Sequence, residues 1–420
     1  MKRFFFTVIA LAAVAVGCTK SGILESPQTY ESPISFEPYT GKAPVTKATI
    51  EDSETIKSGF RVLGFVEADA ENTITATSPY LRKFVRFGDH DASTSTDDTW
   101  YYNGAMYWPE GKELTFVAYG LNVNGSPTEA VNPDGTYLEG DADGVTGEGV
   151  KFAQAANDYT SYTYTVGATA ADHKDLVISP AMRNCTSADA SGTADGDTKA
   201  TTVNVKLYHV LSRIGFKVTV DADYVVKDEN GTPSTEYSDR KVTIKNVSLT
   251  GAFATEGTYN LLNAVGFNAT SGAVEYGTPT EVQTSGVTAP TYSLFASGQS
   301  FEVTPTDGGT YAIYDNSGND AADEAALLNR YMMIIPGNPG NAATVNVTYE
   351  IEGGSETTVP LPLKDQNGDF IEFVAGKAYE FVFTVSNVAV GFDVDVTDWN
   401  TDRNGDGTTD DKDDIQNNIN

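Results

Sequence analysis

Histidine and cysteine are scarce in this 420-residue sequence, which contains three histidines and two cysteines. These residues carry most zinc, thiol and acid–base chemistry in proteins, so few groups remain for such reactions. The histidines show no metal-ligand spacing such as HExxH. His209 and Ser212 lie three residues apart, which in a strand places them on opposite faces, and the sequence identifies no acid to complete a nucleophilic triad. The composition therefore favours a protein that is not an enzyme.

Positive charge is also sparse. The chain has 27 Lys and Arg residues against 58 Asp and Glu residues, which gives a formal net charge of −31. An acidic surface repels phosphate backbones, so nucleic acid is excluded as a partner. No apolar run reaches the ~20 residues that a membrane-spanning helix needs. The longest such run, Phe4–Val16, lies at the N-terminus.

The N-terminus carries the pattern of a bacterial lipoprotein signal. Lys2 and Arg3 precede the apolar run, which ends in Ala15-Val16-Gly17-Cys18, small residues directly before a cysteine. This pattern predicts a signal peptide over residues 1–17 and a diacylglycerol on the Cys18 thiol. Cys185 then has no partner for an intramolecular disulfide. An ordinary secretory signal with an incidental cysteine is the alternative.

Apolar residues recur at every second position through much of the remaining chain, which is the period of a half-buried strand. Helical periodicity is confined to Ala321–Arg330, and Asn103-Gly104 is a two-residue hairpin signal. The predicted fold class is therefore all-β. The clearest alternating segments are Val203–Leu207, Ile214–Val220, Val242–Ile244, Val345–Ile351, Tyr379–Val385 and Val390–Val396.

The length of the chain predicts two domains, because single cores rarely grow beyond ~250–300 residues. The clearest break in composition is Thr186–Thr202, which has no large apolar residue and indicates a linker or a long exposed connection. The predicted organisation is a signal peptide (1–17), a tether with one strand at Ile34–Glu37 (18–47), two β-sandwich domains (48–202 and 203–400) and an acidic tail (401–420).

The acidic tail contains the spacing of a twelve-residue calcium loop. Oxygen-bearing side chains fall at positions 1, 3 and 5, and Gly407 occupies position 6, where such a loop turns sharply. We therefore predict bound Ca²⁺ at this loop, with a solvated acidic tail that binds no ion as the alternative. The candidate ligands are Asp402, Asn404, Asp406, Thr408 through its backbone carbonyl, Asp410 and Asp413.

A cluster of aromatic residues between positions 100 and 108 suggests a second function. Aromatic rings stack on sugars, so a monomeric surface lipoprotein that binds glycans is an alternative. Strand alternation buries about half of such residues, which favours core packing instead. The residues are Trp100, Tyr101, Tyr102, Tyr107 and Trp108.

Several short segments match one family in their order and spacing. They are the cysteine motif at Cys18, Ile34–Phe36, Thr46–Ala48, Trp100–Pro109, Leu114–Gly120, Val205–Arg213, Ile334–Pro336, Ala375–Phe381 and Trp399. Together they resemble the fimbrillin family of Bacteroidales, which includes lipoprotein precursors of type V pilus subunits and minor-fimbrillin-like surface proteins. The resemblance implies two tandem transthyretin-like β-sandwich domains, in agreement with the strand pattern.

The resemblance also implies a mechanism of assembly. Family members reach the outer membrane as lipoproteins, a trypsin-like protease removes an N-terminal strand, and a strand of the next subunit enters the exposed groove. Here the removable strand includes Ile34–Phe36, and the donor is Val390–Val396. The matching basic residue is Lys47, with Arg61 as the second candidate. A lipoprotein that does not polymerise is the alternative.

The resemblance implies partners and a location as well. The partners are other pilus subunits, through strand exchange, and the outer membrane, through the lipid anchor. An adhesive subunit would also bind host or bacterial surface ligands. The implied location is the outer membrane or cell surface, or the fimbrium once the subunit has assembled.

Overall fold

A computed structural model describes residues 33–38, 60–68, 73–74, 79–88, 99–102, 105–122, 150–151, 160–173, 175–186, 202–220, 241–282, 290–303, 310–313, 331–365, 367–385 and 390–398. Within these residues the chain forms 26 β-strands and one 3-10 turn, Ala170–Asp172. The predicted all-β fold class is confirmed. In this described part, no helix is long and apolar enough to cross a membrane.

The first half of the chain builds a large sheet around β2 (Phe60–Ala68). This strand lies antiparallel between β4 (Leu81–Gly88) and β6 (Leu114–Asn122). Residues 60–66 are a nearly continuous apolar run, as a strand requires when both faces of its sheet are covered. The same sheet contains β3 (Thr73–Ile74), β5 (Thr99–Tyr101), β9 (Asp175–Ile178), β10 (Met182–Cys185) and β12 (Tyr208–His209).

The two faces of this sheet bury different hydrophobic clusters. Phe60, Val62 and Phe116 belong to a smaller cluster, whereas their neighbours Leu63 and Val117 belong to a larger one. This division follows from the period of two in a strand, which sends successive side chains to opposite faces. A short parallel sheet of β1 (Ser35–Pro38) and β11 (Thr202–Val205) contributes residues to the smaller cluster.

The second half contains two sheets of five strands each. In the first, β13 (Ser212–Val220) runs parallel to β25 (Lys377–Val385), and β25 pairs antiparallel with β26 (Val390–Asp398) at the sheet's edge. In this sheet β21 (Thr310–Ala312) and β22 (Met332–Ile334) pair with the other side of β13. The second sheet consists of β14 (Val242–Thr250), β19 (Thr291–Ser293), β20 (Phe301–Val303), β23 (Thr344–Ile351) and β24 (Thr357–Pro362).

A four-stranded sheet connects strands from the two halves. In it, β8 (Ser161–Thr165) pairs with β15 (Glu256–Asn260) over five register positions, Ser161 to Thr165. Its outer strands are β7 (Val150–Lys151) and β18 (Thr280–Val282). A separate hairpin joins β16 (Val265–Phe267) to β17 (Val274–Tyr276).

Strands on both sides of the predicted domain boundary at residues 202/203 share sheets. β11 and β12 pair with β1 and β9 of the first half, and β8 pairs with β15 of the second half. The larger hydrophobic cluster also draws on both halves. The division into domains at 48–202 and 203–400 stays a prediction. The predicted helix Ala321–Arg330, the Asn103-Gly104 turn and most of Thr186–Thr202 lie outside the described residues.

Candidate strand-exchange groove

The short N-terminal strand β1 is held along both of its sides. On one side it pairs in parallel with β11, with Phe36 opposite Val203 and Glu37 opposite Asn204. On the other side, the backbone N–H of Ile34 donates to the carbonyl of Met106 at 2.8 Å. The strand predicted at Ile34–Glu37 therefore exists, and it inserts between two segments that lie far away in sequence.

The side chains of Phe36 in β1 and of Ile34 just before it are buried. Ile34 and Phe36 are each 2% exposed and belong to the smaller hydrophobic cluster. The Phe36 ring packs edge-on against Phe116, with 5.3 Å between the ring centroids, and lies 5.9 Å from the Tyr102 ring. Burial of two such side chains stabilises the fold by about 1.5–3 kcal/mol each. Tyr102 also donates its hydroxyl hydrogen to the Ile34 carbonyl.

The floor of this site depends on a glycine. A Cβ atom at Gly64 would lie 2.8 Å from the ring of Phe116, closer than packed carbon atoms approach. The missing side chain leaves room for the Phe116 ring, which makes edge-on contacts with both Phe36 and Trp108. The lining is completed by Phe60, Val62, Leu81, Val85, Leu114, Ala118, Val203 and Val205.

Removal of β1 would expose both an apolar groove and a free strand edge. Among the described strands, β11 pairs with β1 alone. Its backbone groups would then lack ladder partners, and Val203 and Val205 would lose the side chains that cover them. An unpaired edge beside an apolar surface is a template for the addition of another strand.

The predicted donor strand is already paired within its own sheet. β26 lies at the edge of that sheet and pairs with β25 over nine positions, from Lys377 opposite Asp398 to Val385 opposite Val390. Val394 is 1% exposed, so it also contributes to the core. A donor role therefore requires β26 to leave β25 before it enters a neighbour.

The comparisons identify the family. The sequence profile of fimbrillin-like proteins matches residues 46–399. The chain belongs to the fimbrillin-like family. This result confirms the resemblance found in the sequence. A comparison with curated proteins finds no match to this fimbrillin-like chain.

The chain is also similar to proteins of solved structure. A fimbrial protein from Bacteroides vulgatus superposes on this fimbrillin-like chain with a TM-score of 0.53 and 16% sequence identity, covering 87% of this chain and 99% of that chain. At this identity the similarity shows a shared fold. A fimbrial assembly protein from Parabacteroides distasonis gives a TM-score of 0.35 and 14% identity, covering 87% of this chain and 95% of that chain.

Of the two predicted processing sites in this fimbrillin-like chain, the structure describes Arg61. It lies in β2, opposite Phe84 of β4 on one side and Tyr119 of β6 on the other. A protease that binds its substrate as an extended chain would have to pull β2 out of the sheet to reach this residue. Lys47 lies outside the described residues, as does the predicted lipidation site Cys18.

The predicted calcium loop of the fimbrillin-like chain also lies outside the described residues, with all of its candidate ligands between Asp402 and Asp413. In the part of the chain that the structure does describe, no three His, Cys, Asp or Glu side chains are placed to hold a metal ion together.

The aromatic residues considered for sugar binding have different positions in the fimbrillin-like fold. Trp108 is 1% exposed and belongs to the smaller cluster, so its ring is not available to a ligand. Trp100 is half-buried against Phe60, with 5.6 Å between the ring centroids. Tyr107 is the most open of the group at 38% exposure. Core packing therefore accounts for Trp108, as the strand alternation favoured.

The fimbrillin-like fold contains a buried His–Asp pair that the sequence analysis did not predict. His209 Nδ1 lies 2.7 Å from Asp175 Oδ2, and both side chains are buried between β12 and β9. Ser212 does not join them, because its hydroxyl donates to the Val374 carbonyl at 2.8 Å. Ser212 is therefore not placed as the nucleophile of a catalytic triad with this pair. Its residues are 34 positions apart in the sequence, and no local spacing signals such a contact.

A second histidine, which is half-buried, connects distant segments of the fimbrillin-like chain. His173 Nε2 donates to the Gly167 carbonyl at 2.9 Å, and Nδ1 accepts the backbone N–H of Met333 at 2.8 Å. This arrangement requires the neutral ring, with its proton on Nε2. Burial lowers the pKa of His173 from 6.5 to about 4.

The shifted pKa predicts a pH-dependent stability. Between pH 6.5 and about 4 the unfolded chain binds a proton at His173 that the folded chain does not. The contribution of His173 to the free energy of unfolding should therefore fall by about 3 kcal/mol as the pH is lowered through this window. Above pH 6.5 this contribution should stay constant. Urea unfolding at several pH values measures this fall. His173→Gln keeps a donor and an acceptor but does not titrate, so it should lose this part of the slope.

The comparison between wild type and His173→Gln is needed because the chain's 58 Asp and Glu carboxyl groups titrate in an overlapping pH range. They contribute equally to both proteins, so the difference between the two slopes isolates His173. Equal slopes would show that the folded protein does not hold this histidine neutral.

Proposed function

We propose that this protein is a cell-surface pilus subunit, structural or adhesive, that assembles by protease-triggered β-strand exchange. The observation that best supports this function is the position of the short strand β1. Phe36 and the preceding Ile34 fill an apolar groove beside β11, which pairs with β1 alone among the strands that the structure describes. Family membership supports the same function. The proposed partners are other subunits of the pilus.

Cleavage after Lys47 would make β1 easier to displace from its groove, although every contact of β1 with the groove would remain. In the intact chain β1 is tethered, so it occupies its groove at a high effective concentration. Once residues 18–47 form a separate peptide, that advantage is lost and another strand can compete for the groove. Lys47 is preferred to Arg61 as the processing site because Arg61 is paired on both sides within β2.

The proposed lipid anchor lies in the same removable segment. Cys18 would hold the precursor at the outer membrane until cleavage, and the cut after Lys47 would then separate the lipid from the folded body. Release from the membrane and opening of the groove would therefore result from one event. The subunit would become competent for assembly only where the protease acts.

Limited digestion of the folded protein with a trypsin-like protease tests this function. We expect cleavage near Lys47, followed by ladders of multimers that resist SDS. Lys47→Ala should remain uncleaved at this position and monomeric, whereas Arg61→Gln should be processed like the wild type. A protein that loses residues 18–47 cleanly and yet stays monomeric would refute assembly by exchange.

For the acidic tail, we propose that the loop from Asp402 to Asp413 binds Ca²⁺. The ligand spacing supports this site, and its affinity should resemble that of weak extracellular sites, ~10⁻⁴–10⁻³ M. Titration calorimetry should detect binding by the wild type and its loss in Asp406→Ala. Glu356→Ala removes an exposed acid outside the loop and should bind normally. Equal, negligible heats in all three proteins would exclude the site.

A further inference from the structure

The strand that would be removed and the strand that would replace it share a residue pattern. β1 and the residue before it have the sequence Ile34-Ser35-Phe36-Glu37, and β26 begins Val390-Gly391-Phe392-Asp393. Each segment has a β-branched residue, a small residue, a phenylalanine and an acid, in that order. Ile34 and Phe36, the first and third residues of the segment that contains β1, are both buried.

We propose that β26 of a second copy of this chain enters the groove in a fixed parallel register, with Phe392 in the site of Phe36. Val390 then takes the place of Ile34, and Asp393 takes the place of Glu37 opposite Asn204. This inference rests on the proposed exchange function and specifies how the two subunits fit together.

The size of the Phe36 site selects this register. The site is bounded by the rings of Phe116 and Tyr102 and accommodates one aromatic ring. Phe392 is the single aromatic residue of β26, so a shift by two positions would put a valine there and leave a void. A shift by one position would turn the acidic side chains into the groove.

The donor makes contacts that β1 does not. β1 ends at Pro38, opposite Val205, and proline has no backbone N–H to donate. In the proposed register β26 continues past this point, with Val394 opposite Val205 and Asp395 opposite Lys206. Lys206 directly follows β11, is exposed and lies over the Tyr208 ring, with its Nζ 5.0 Å from the ring centroid. Its positive charge would lie next to the negative charge of Asp395. These additional contacts favour β26 over β1 as the occupant of the groove.

Two other strands share the first three residue types but not the rest of the pattern. Ile214-Gly215-Phe216 lies inside β13, which is paired on both of its sides. The fourth residue of this segment is Lys217, whose Nζ forms a salt bridge with Glu380 Oε2 at 2.9 Å. The other segment, β16, ends at Phe267 and has no continuing alternation. Among the described strands, β26 alone combines the pattern, an edge position and sufficient length.

A disulfide between two different chains measures the register. One full-length chain carries Asn204→Cys and the other Asp393→Cys, both with Cys185→Ser, and Cys18 leaves with the removed segment. Strands pair 4.7–4.9 Å apart, within the Cα distance that a disulfide spans. After mixing, limited cleavage and mild oxidation, we expect a cross-link between the two chains. Asp395→Cys is the matched control, because two further residues place it beyond disulfide reach in this register.

The outcomes separate the register from the exchange function. Multimers that cross-link through Asp393→Cys and not through Asp395→Cys support the proposal. Multimers that cross-link through Asp395→Cys, or through neither cysteine, overturn the register while leaving exchange intact. An absence of multimers in the wild type as well as in the variants overturns the proposed function and the register with it.

Discussion

Replacement of Phe36 by alanine is expected to lower the free energy of unfolding by about 3–5 kcal/mol, the usual cost of truncating a buried phenylalanine. Phe36 is 2% exposed and contacts both Phe116 and Tyr102, so its removal leaves a void in the smaller cluster. Urea or thermal unfolding of the uncleaved protein measures the effect.

The same substitution should also loosen β1 without proteolysis. A labelled peptide spanning Val390–Asp398 should bind uncleaved Phe36→Ala faster than uncleaved wild type, because the resident strand has lost its main anchor. Asn204→Ala is the control, since Asn204 is exposed on the partner strand and should change stability by less than about 0.5 kcal/mol. A Phe36→Ala protein as stable as this control would show that β1 does not anchor the groove.

Oxidised Val382→Cys/Asp393→Cys protein should form no multimers after cleavage. These two residues lie opposite each other in the antiparallel pair of β25 and β26, so a disulfide between them fixes β26 to its own sheet. A strand that cannot leave β25 cannot enter a neighbour. Addition of a reductant should restore the ladder of multimers on an SDS gel.

A second disulfide controls for general effects of cross-linking. Thr348 and Thr358 lie opposite each other in β23 and β24, with their hydroxyl oxygens 2.9 Å apart. The oxidised Thr348→Cys/Thr358→Cys protein should assemble like the wild type, because neither strand takes part in exchange. Assembly by the oxidised Val382→Cys/Asp393→Cys protein would show that β26 is not the donor.

The strands of the groove were predictable because each carries its own local signal. Ile34, Phe36 and the residues of β26 alternate with polar or small neighbours, and alternation fixes which side chains share a face. The nearly continuous apolar run of residues 60–66 in β2 agrees with the burial of both faces of this strand in two hydrophobic clusters. The proposed role of these strands in strand exchange came from the family motifs, because alternation alone predicts a strand and not its function.

Other features depend on contacts between distant residues. The hydroxyl oxygens of Ser35 and Thr202 are hydrogen-bonded although the residues are 167 positions apart. His209 and Asp175 are likewise distant in sequence, 34 positions apart, and the sequence analysis identified no acid as the partner of His209. The domain boundary at 202/203 was predicted from a break in composition. In the tertiary structure, β11 and β12 at this boundary pair with β1 and β9, which lie earlier in the chain.

The sequence by itself determined that this protein is all-β, acidic and poor in histidine and cysteine, and its motifs identified the fimbrillin-like family. Those properties are local, because residue type and a period of two act over a few neighbouring positions. The tertiary structure decided which strand lies beside which, and so placed Phe36 between Phe116 and Tyr102 beside β11. Which strands pair within the fold depends on shape and burial summed over the whole core, and no short sequence pattern encodes that sum.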